Sequence, residues 1–280
     1  SLDVAPGSVL GLVGRNAAGK TTTLRLALGL LHPDAGRVRI LGLDPVRQGL
    51  EVRRRVSLLS EESALYPWMT VAEILAYAGA IHPRWDHELA ERLRQRLALA
   101  PHERIRGLSR GTRAKVALVL AVACRPEVLL LDDPTAGLDP LVRREVLEGI
   151  LEAIPGEGGA VIYASHMIHD VERVADRVAV LDAGRVTLAG SVEELRERVQ
   201  RVTAVFDRAA PRTVDVPGQL DCHVEGRVLR VVCERRNGGP GGALRALGAR
   251  TVESEPLGLE DILVACLHGR ATREVSHVQQ

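Results

Sequence analysis

Eight consecutive residues, Gly14-Arg15-Asn16-Ala17-Ala18-Gly19-Lys20-Thr21, have the types and spacing to hold a run of phosphates. They fit the pattern G-x-x-x-x-G-K-[ST]. Small residues leave room for the backbone N–H groups of the turn to point inward at an anion. A helix beginning near Gly19 aims its positive end at the same place. Lys20 offers a point charge to the β- and γ-phosphates, Thr21 offers its hydroxyl to Mg²⁺, and Thr22 follows within reach. The chain holds only two lysines, Lys20 and Lys115, its other basic side chains being arginine or histidine. Given this composition, a chance match anywhere in the chain has a probability of roughly 0.002, which favours a phosphate loop over an accidental turn. A second group with chemical reach is Asp132. It closes the aliphatic run Val128-Leu129-Leu130-Leu131, so it stands at the C-terminal end of a buried strand, where open α/β sheets bind ligands. There it can hold Mg²⁺, usually through water.

The elements that must position these groups read as strands alternating with helices. Val9 to Val13 is a short apolar run leading into the loop, and Thr21 to Leu30 carries helix formers. Val38 to Leu41 and Val56 to Leu59 read as strands. The middle of the chain, about 62–125, is mostly helical: Val71 to Ala80, Asp86 to Leu99 with Asp86 as N-cap, and Ser109 to Ala123. Val128 to Leu131, Ala160 to Ala164 and Arg177 to Leu181 are further strands. Helices occupy Pro140 to Ile154, Ile168 to Ala175 and Ser191 to Val199. The expected fold class is α/β: a P-loop NTPase with a mostly parallel sheet and an inserted helical subdomain. After residue 200 the pattern changes to short strands (Val202 to Phe206, Thr213 to Val216, Val228 to Cys233), a loop over Asn237 to Gly242, and one apolar helix face formed by Leu259, Ile262, Leu263, Cys266 and Leu267. Residues 1–200 are thus expected to form the nucleotide-binding domain and 201–280 a small α+β appendage.

Composition excludes several function classes. With 280 residues and 46% hydrophobic content there is material for one large core and a small second one. The formal net charge of +1 gives no global field to gather nucleic acid, and 2% aromatics cannot build a base-stacking surface. The four cysteines form no Cys-x-x-Cys pair, as expected of reduced cytosolic thiols, although Cys222 and Cys233 could face each other across a hairpin. The longest apolar run, Val116 to Cys124, is far short of the ~20 residues a membrane-spanning helix needs.

What lies between and after the two phosphate-site anchors narrows the choice. Leu108-Ser109-Arg110-Gly111-Thr112 opens a helix, Asp132-Asp133-Pro134-Thr135-Ala136-Gly137-Leu138-Asp139-Pro140 follows the buried strand, and Ser165-His166 ends the next one. In this order the segments resemble the LSGGQ signature, Walker B strand, D-loop and H-loop of the nucleotide-binding domain of ABC transporters, over residues 1–200. The resemblance is nearest to exporter-type ATPase subunits that work with a separate membrane chain. It implies ATP and Mg²⁺ as ligands. Two such domains, as homodimer or heterodimer, would sandwich two ATP molecules head to tail, with Ser109 and Gly111 reaching the γ-phosphate held by the other subunit. Ser109 as N-cap and Gly111 as a residue of close approach suit an anion. The resemblance makes Asp133 the catalytic base, His166 the switch histidine, and Glu61 a Q-loop residue touching Mg²⁺ or water. It places the protein on the cytoplasmic side of the membrane as a peripheral subunit, with a membrane-spanning permease on another chain and no nucleic acid.

The departures from the family pattern carry expectations of their own. Asp133 stands where a glutamate is usual and is shorter by one bond of ~1.5 Å, so hydrolysis should be slow unless the loop shifts. Glu61 replaces a glutamine, Thr112 replaces the signature's last glutamine, and Ala17 replaces a glycine at a cost of ~1 kcal/mol or more if φ is positive there. Ser1 to Val4 resembles the second of two strands that normally precede the loop, so the chain looks truncated, without the aromatic ring that stacks on adenine. The stretch Leu65-Tyr66-Pro67-Trp68-Met69 falls where the family receives a helix of the membrane subunit, and its side chains are of the types enriched in interface cores. Two other functions are compatible with the motifs. One is a soluble ABC-type ATPase, against which the single phosphate loop and the lack of sustained heptads argue. The other is a nucleotide-binding interaction module of low turnover.

Overall fold

The computed structural model describes residues 1–60, 65–153, 159–211, 214, 216–235 and 239–267. Its contacts divide the chain into two units, one of Ser1–Leu12 with Gly19–Asp176, the other of Val13–Ala18 with Arg177–Gln280.

The first unit is built on parallel strands. β1 (Val9–Val13), β2 (Val56–Ser60), β3 (Val128–Asp132) and β4 (Ala160–Ser165) lie in the order β2-β3-β4-β1. β3 is parallel to both β2 and β4, in a register that sets Ser60, Asp132 and Ala164 side by side. Valine, leucine and isoleucine dominate β1, β3 and β4, which are buried on both faces as a sheet covered by helices requires, while β2 is partly exposed. The helices are α1 (Lys20–Ala27), α2 (Gly49–Arg55), α3 (Val71–Ile81), α4 (His87–Arg96), α5 (Arg110–Ala123), α6 (Pro140–Ala153) and α7 (Ile168–Val174). α1 rests on β3 and β4, and α5 packs on β2, α4 and α6. Side-chain caps fix where the middle helices begin. Thr70 and Glu73 form a reciprocal capping box at α3, Asp86 accepts from Leu89 N at 2.8 Å to open α4, and Ser109 accepts from Thr112 N at 3.1 Å to open α5.

After Val13–Ala18, the second unit resumes with an antiparallel hairpin, β5 (Arg177–Asp182) and β6 (Arg185–Ser191). Its two-residue turn has positive φ at both Ala183 (45°) and Gly184 (75°), the conformation whose twist suits a tight hairpin. α8 (Val192–Arg198), capped by Ser191 and Glu194, leads to β7 (Val199–Phe206). β8 (Gln219–Glu225), β9 (Val228–Glu234), α9 (Gly239–Ala246) and β10 (Ala249–Pro256) follow. The strands make an antiparallel sheet in the order β10-β7-β9-β8. Val202, Ala204, Phe206, Leu229, Val231, Cys233 and Leu244 form its core. A helical stretch over 259–267 buries Leu259, Ile262, Leu263 and Cys266, the apolar face expected from their spacing.

Several expectations fail here. Ser1 to Val4 and Val38 to Leu41 are not strands; only an isolated bridge joins Ile40 to Leu43. Both segments line one cavity of about 550 Å³ with Leu26 and Ile162, and an unsupported two-stranded ribbon is marginal in water. Val214 and Val216 are not in strands, and Thr213 lies outside the described residues. The expected loop over 237–242 is helical from Gly239, where Pro240 stands at the second helical position, near the start where a missing N–H costs least. Cys222 pairs with Val231 rather than with Cys233, and all four cysteines are free.

Candidate active site

The loop between β1 and α1 bends through two left-handed residues, Ala17 at φ 64° and Gly19 at φ 106°. The first is the strained alanine anticipated from the sequence, at about 1–2 kcal/mol. Ala18 N donates to Arg15 O at 3.2 Å, closing the turn, and Ala18 O accepts from Gly184 N at 3.0 Å. Gly14 must lack a side chain, because a Cβ there would lie 2.4 Å from the Leu181 carbonyl oxygen. Asn16 and Ala17 are exposed, as is Thr22 at the start of α1.

Lys20 is only 6% exposed, and its Nζ stands 3.8 Å from Asp133 Oδ2. Next to it, Thr21 Oγ1 donates to Asp132 Oδ1 at 3.1 Å. The two partners come from opposite parts of the fold, the first turn of α1 and the C-terminal end of β3. Half-burial raises the Asp132 carboxyl above its ordinary pKa, with the Thr21 hydroxyl opposing and the Asp133 charge adding to the rise. A carboxylate held this way gains from a nearby cation. Among the described residues no group of three or more His, Cys, Asp or Glu could hold a metal ion by itself. Thr21 and Asp132 are a hard-oxygen pair of the kind Mg²⁺ accepts when phosphate and water complete its shell.

Asp133 follows with φ 45°, a strained conformation for a non-glycine residue. Its N donates to Ala164 O at 2.8 Å, so the strand ladder turns the side chain toward the end of β4. There Oδ1 accepts from Ser165 Oγ at 2.8 Å and His166 N at 3.1 Å, and lies 2.9 Å from His166 Nδ1. Facing a carboxylate, Nδ1 is the protonated ring nitrogen, which leaves Nε2 directed elsewhere. Ser165 is fully buried and in turn accepts from Met167 N at 3.0 Å. Ser165 is the residue whose part was not anticipated; its position beside His166 was the available signal.

Lys20, Thr21, Asp132, Asp133 and His166 therefore meet in one place. Ser109 and Gly111 lie on the first turn of α5, exposed and half-buried respectively. Ser109 Oγ is 2.9 Å from Thr112 Oγ1, and a Cβ on Gly111 would come 2.9 Å from Val142 Cγ1. Glu61 lies outside the described residues.

Residues 1–136 match the family described as ABC transporter. The daunorubicin resistance ATP-binding protein DrrA3 of Streptomyces coeruleorubidus is 34% identical over 92% of this chain and 85% of its own length. This chain belongs to the ABC transporter ATP-binding proteins. The Nod factor export ATP-binding protein I of Cupriavidus metallidurans is 34% identical over 69% of this chain and 65% of its own. Among solved structures, cbiO1 from Clostridium perfringens, described as part of the ABC transporter complex cbiONQ, superposes with a TM-score of 0.60 at 25% identity, covering 69% of this chain and 81% of that one. The ABC protein described here is thus an ATP-binding ATPase subunit with the P-loop fold of its relatives. Among its described residues no helix is long and apolar enough to cross a membrane.

Proposed function

We propose that this ABC subunit hydrolyses ATP to drive an exporter whose membrane-spanning permease is a separate chain, from the cytoplasmic side. The observation that carries the reading is the convergence of Lys20, Thr21 and Asp132 on one point, with Asp133 and His166 beside it. In this reading the N–H groups of the Gly14–Gly19 turn and Lys20 bind the phosphates, while Thr21 and Asp132 hold Mg²⁺, which would neutralise phosphate charge. Glu61 would join them. Asp133 Oδ1 is committed to Ser165 and His166, so the proton of the attacking water goes to Oδ2, and His166 orients that water and the γ-phosphate. Ser109 and Gly111 would close on the γ-phosphate of a second nucleotide-binding domain. Residues 201–280 would be an accessory domain. The names of two relatives, one for resistance to daunorubicin and one for Nod factor export, support outward transport.

A low-turnover nucleotide-binding module is the second reading, favoured by the three donors already on Asp133 Oδ1. ATPase assays on the subunit with its permease separate the two, since turnover at background in the assembled complex would leave only the module. For the site itself, Lys20→Ala should weaken MgATP binding by tenfold or more in calorimetry. Unchanged affinity would remove the phosphate loop from the mechanism.

A further inference from the structure

Behind the Asp133–His166 contact lies a second, fully buried link between the same two segments. Thr135, Tyr163 and Asp170 are each 0% exposed. Thr135 Oγ1 donates to Asp170 Oδ2 at 2.6 Å and lies 3.2 Å from the Tyr163 hydroxyl. A threonine hydroxyl has one hydrogen, already given to Asp170, so Tyr163 is the donor in the other bond. Burial raises the Tyr163 pKa, which keeps that phenol protonated. Arg143, on the first turn of α6, is 3.9 Å from Asp170 Oδ2. Asp170 Oδ1 and Arg143 Nε are buried without hydrogen-bond partners.

As a source of stability this arrangement is poor. A buried carboxylate with one strong hydrogen bond and one long ion pair recovers little of its desolvation cost. Its placement is informative instead. Thr135 is two residues beyond Asp133, and Asp170, in the first turn of α7, is four residues beyond His166. One segment leaves β3 and the other leaves β4, and each is tied to the other twice: once by Asp133 to Ser165 and His166, once by Thr135 to Asp170. Further along the first segment, Gly137 at φ 65° leaves room for the Arg110 guanidinium, which a Cβ would meet at 2.5 Å. A carboxylate at a strained φ needs such outside support to keep one orientation.

We propose that Thr135 and Asp170, completed by Tyr163 and Arg143, are positioning residues that hold Asp133 against His166 for hydrolysis. They touch neither nucleotide nor metal; they act through the backbone of 133–135 and the first turn of α7. The proposal rests on Asp133 and His166 being the reacting groups.

The test uses the whole chain with four substitutions, following ATPase rate, KM and MgATP affinity. Thr135→Val keeps the side-chain shape and removes the hydroxyl; kcat should fall tenfold or more, with KM and affinity within twofold. Thr135→Ser restores the donor and should return kcat to within threefold of the parent. Tyr163→Phe, a milder change that serves if Thr135→Val does not fold, should lower kcat about threefold at constant KM. Thr135→Val at parental kcat would overturn the proposal. So would Thr135→Ser as slow as valine, losses in affinity that match those in kcat, or, if valine does not fold, a Tyr163→Phe variant at parental kcat. Asp133→Ala is the control: if it leaves kcat unchanged, the reading of the reaction site fails first, whereas its loss of activity beside an unaffected Thr135→Val sinks the positioning role alone.

Discussion

In the proposed reaction, Asp133 is the residue on which the rate would turn. Its carboxylate is short, its φ is 45°, and Oδ1 is held by donors from Ser165 and His166. Lengthening the side chain by one methylene would carry a carboxylate oxygen ~1.5 Å outward while the backbone stays as it is. Asp133→Glu should therefore raise kcat severalfold with KM changed less than twofold, measured as steady-state ATP hydrolysis; an equal or lower kcat would mean that reach does not limit the reaction. Much of the site is legible in the sequence, for a physical reason. Lys20 and Thr21 are set by a contiguous turn, and Asp132 by the aliphatic run before it, so local order alone locates them. Thr135 and Asp170 are not legible that way, and Ser165 shows only as the neighbour of His166. Their roles come from the register of β3 against β4, a pairing between segments about thirty residues apart that leaves no mark on either segment.

At the scale of elements, the helical stretch holds an exposed aromatic group. Tyr66 lies with its ring centroid 5.2 Å from Trp68 and 5.6 Å from Tyr77, and Trp68 is 62% exposed. Leu50 and Ile81 are exposed too. Such rings anchor interfaces when a partner covers them. Trp68→Ala should cut co-purification with the permease about tenfold and leave MgATP affinity as it was; parallel loss of both would point to a folding defect instead. A different element contact fixes the sheet edge. Glu127 bonds Arg55 at 2.9 and 2.6 Å and Arg84 at 2.5 Å, joining the start of β3 to α2 and to the α3–α4 connection. The Arg55 hydrogen bond, then Arg84, lowers the Glu127 pKa to about 2. A lowered carboxyl pKa means stability that is present above pH 4.5 and lost as pH falls toward 2. Glu127→Gln should cost about 1 kcal/mol at pH 7, since the partly exposed groups are screened, and the gap should narrow at pH 3. Urea unfolding at the two pH values checks this, and an equal gap at both would assign the loss to packing. Strands β6, β8 and β10 are missing from the sequence-based expectation because they mix polar and apolar residues at exposed and half-exposed positions. β1, β3 and β4 stand out as unbroken apolar runs.

For the whole molecule, the proposed cycle needs two nucleotide-binding domains. Ser109 is exposed at the opening of α5, where a second phosphate-bearing face can reach it. Asp133→Asn should trap MgATP and sediment as a dimer. Adding Ser109→Arg should return that variant to a monomer with its nucleotide affinity intact. A dimer that survives Ser109→Arg would mean that association runs through another surface.

The contact between Lys20 and Asp133 has an outcome of its own. The Lys20 ammonium faces a tethered counter-ion 3.8 Å away. A phosphate bound by Lys20 as proposed would therefore trade places with a carboxylate rather than fill an open positive hole. A small, singly bound anion wins little in that exchange. A triphosphate with its metal brings many contacts at once and can outcompete the resident charge. If Asp133 is the proton acceptor, as proposed, its release from Lys20 would turn the same carboxylate from occupant to reagent, and the arrival of substrate would also free the base.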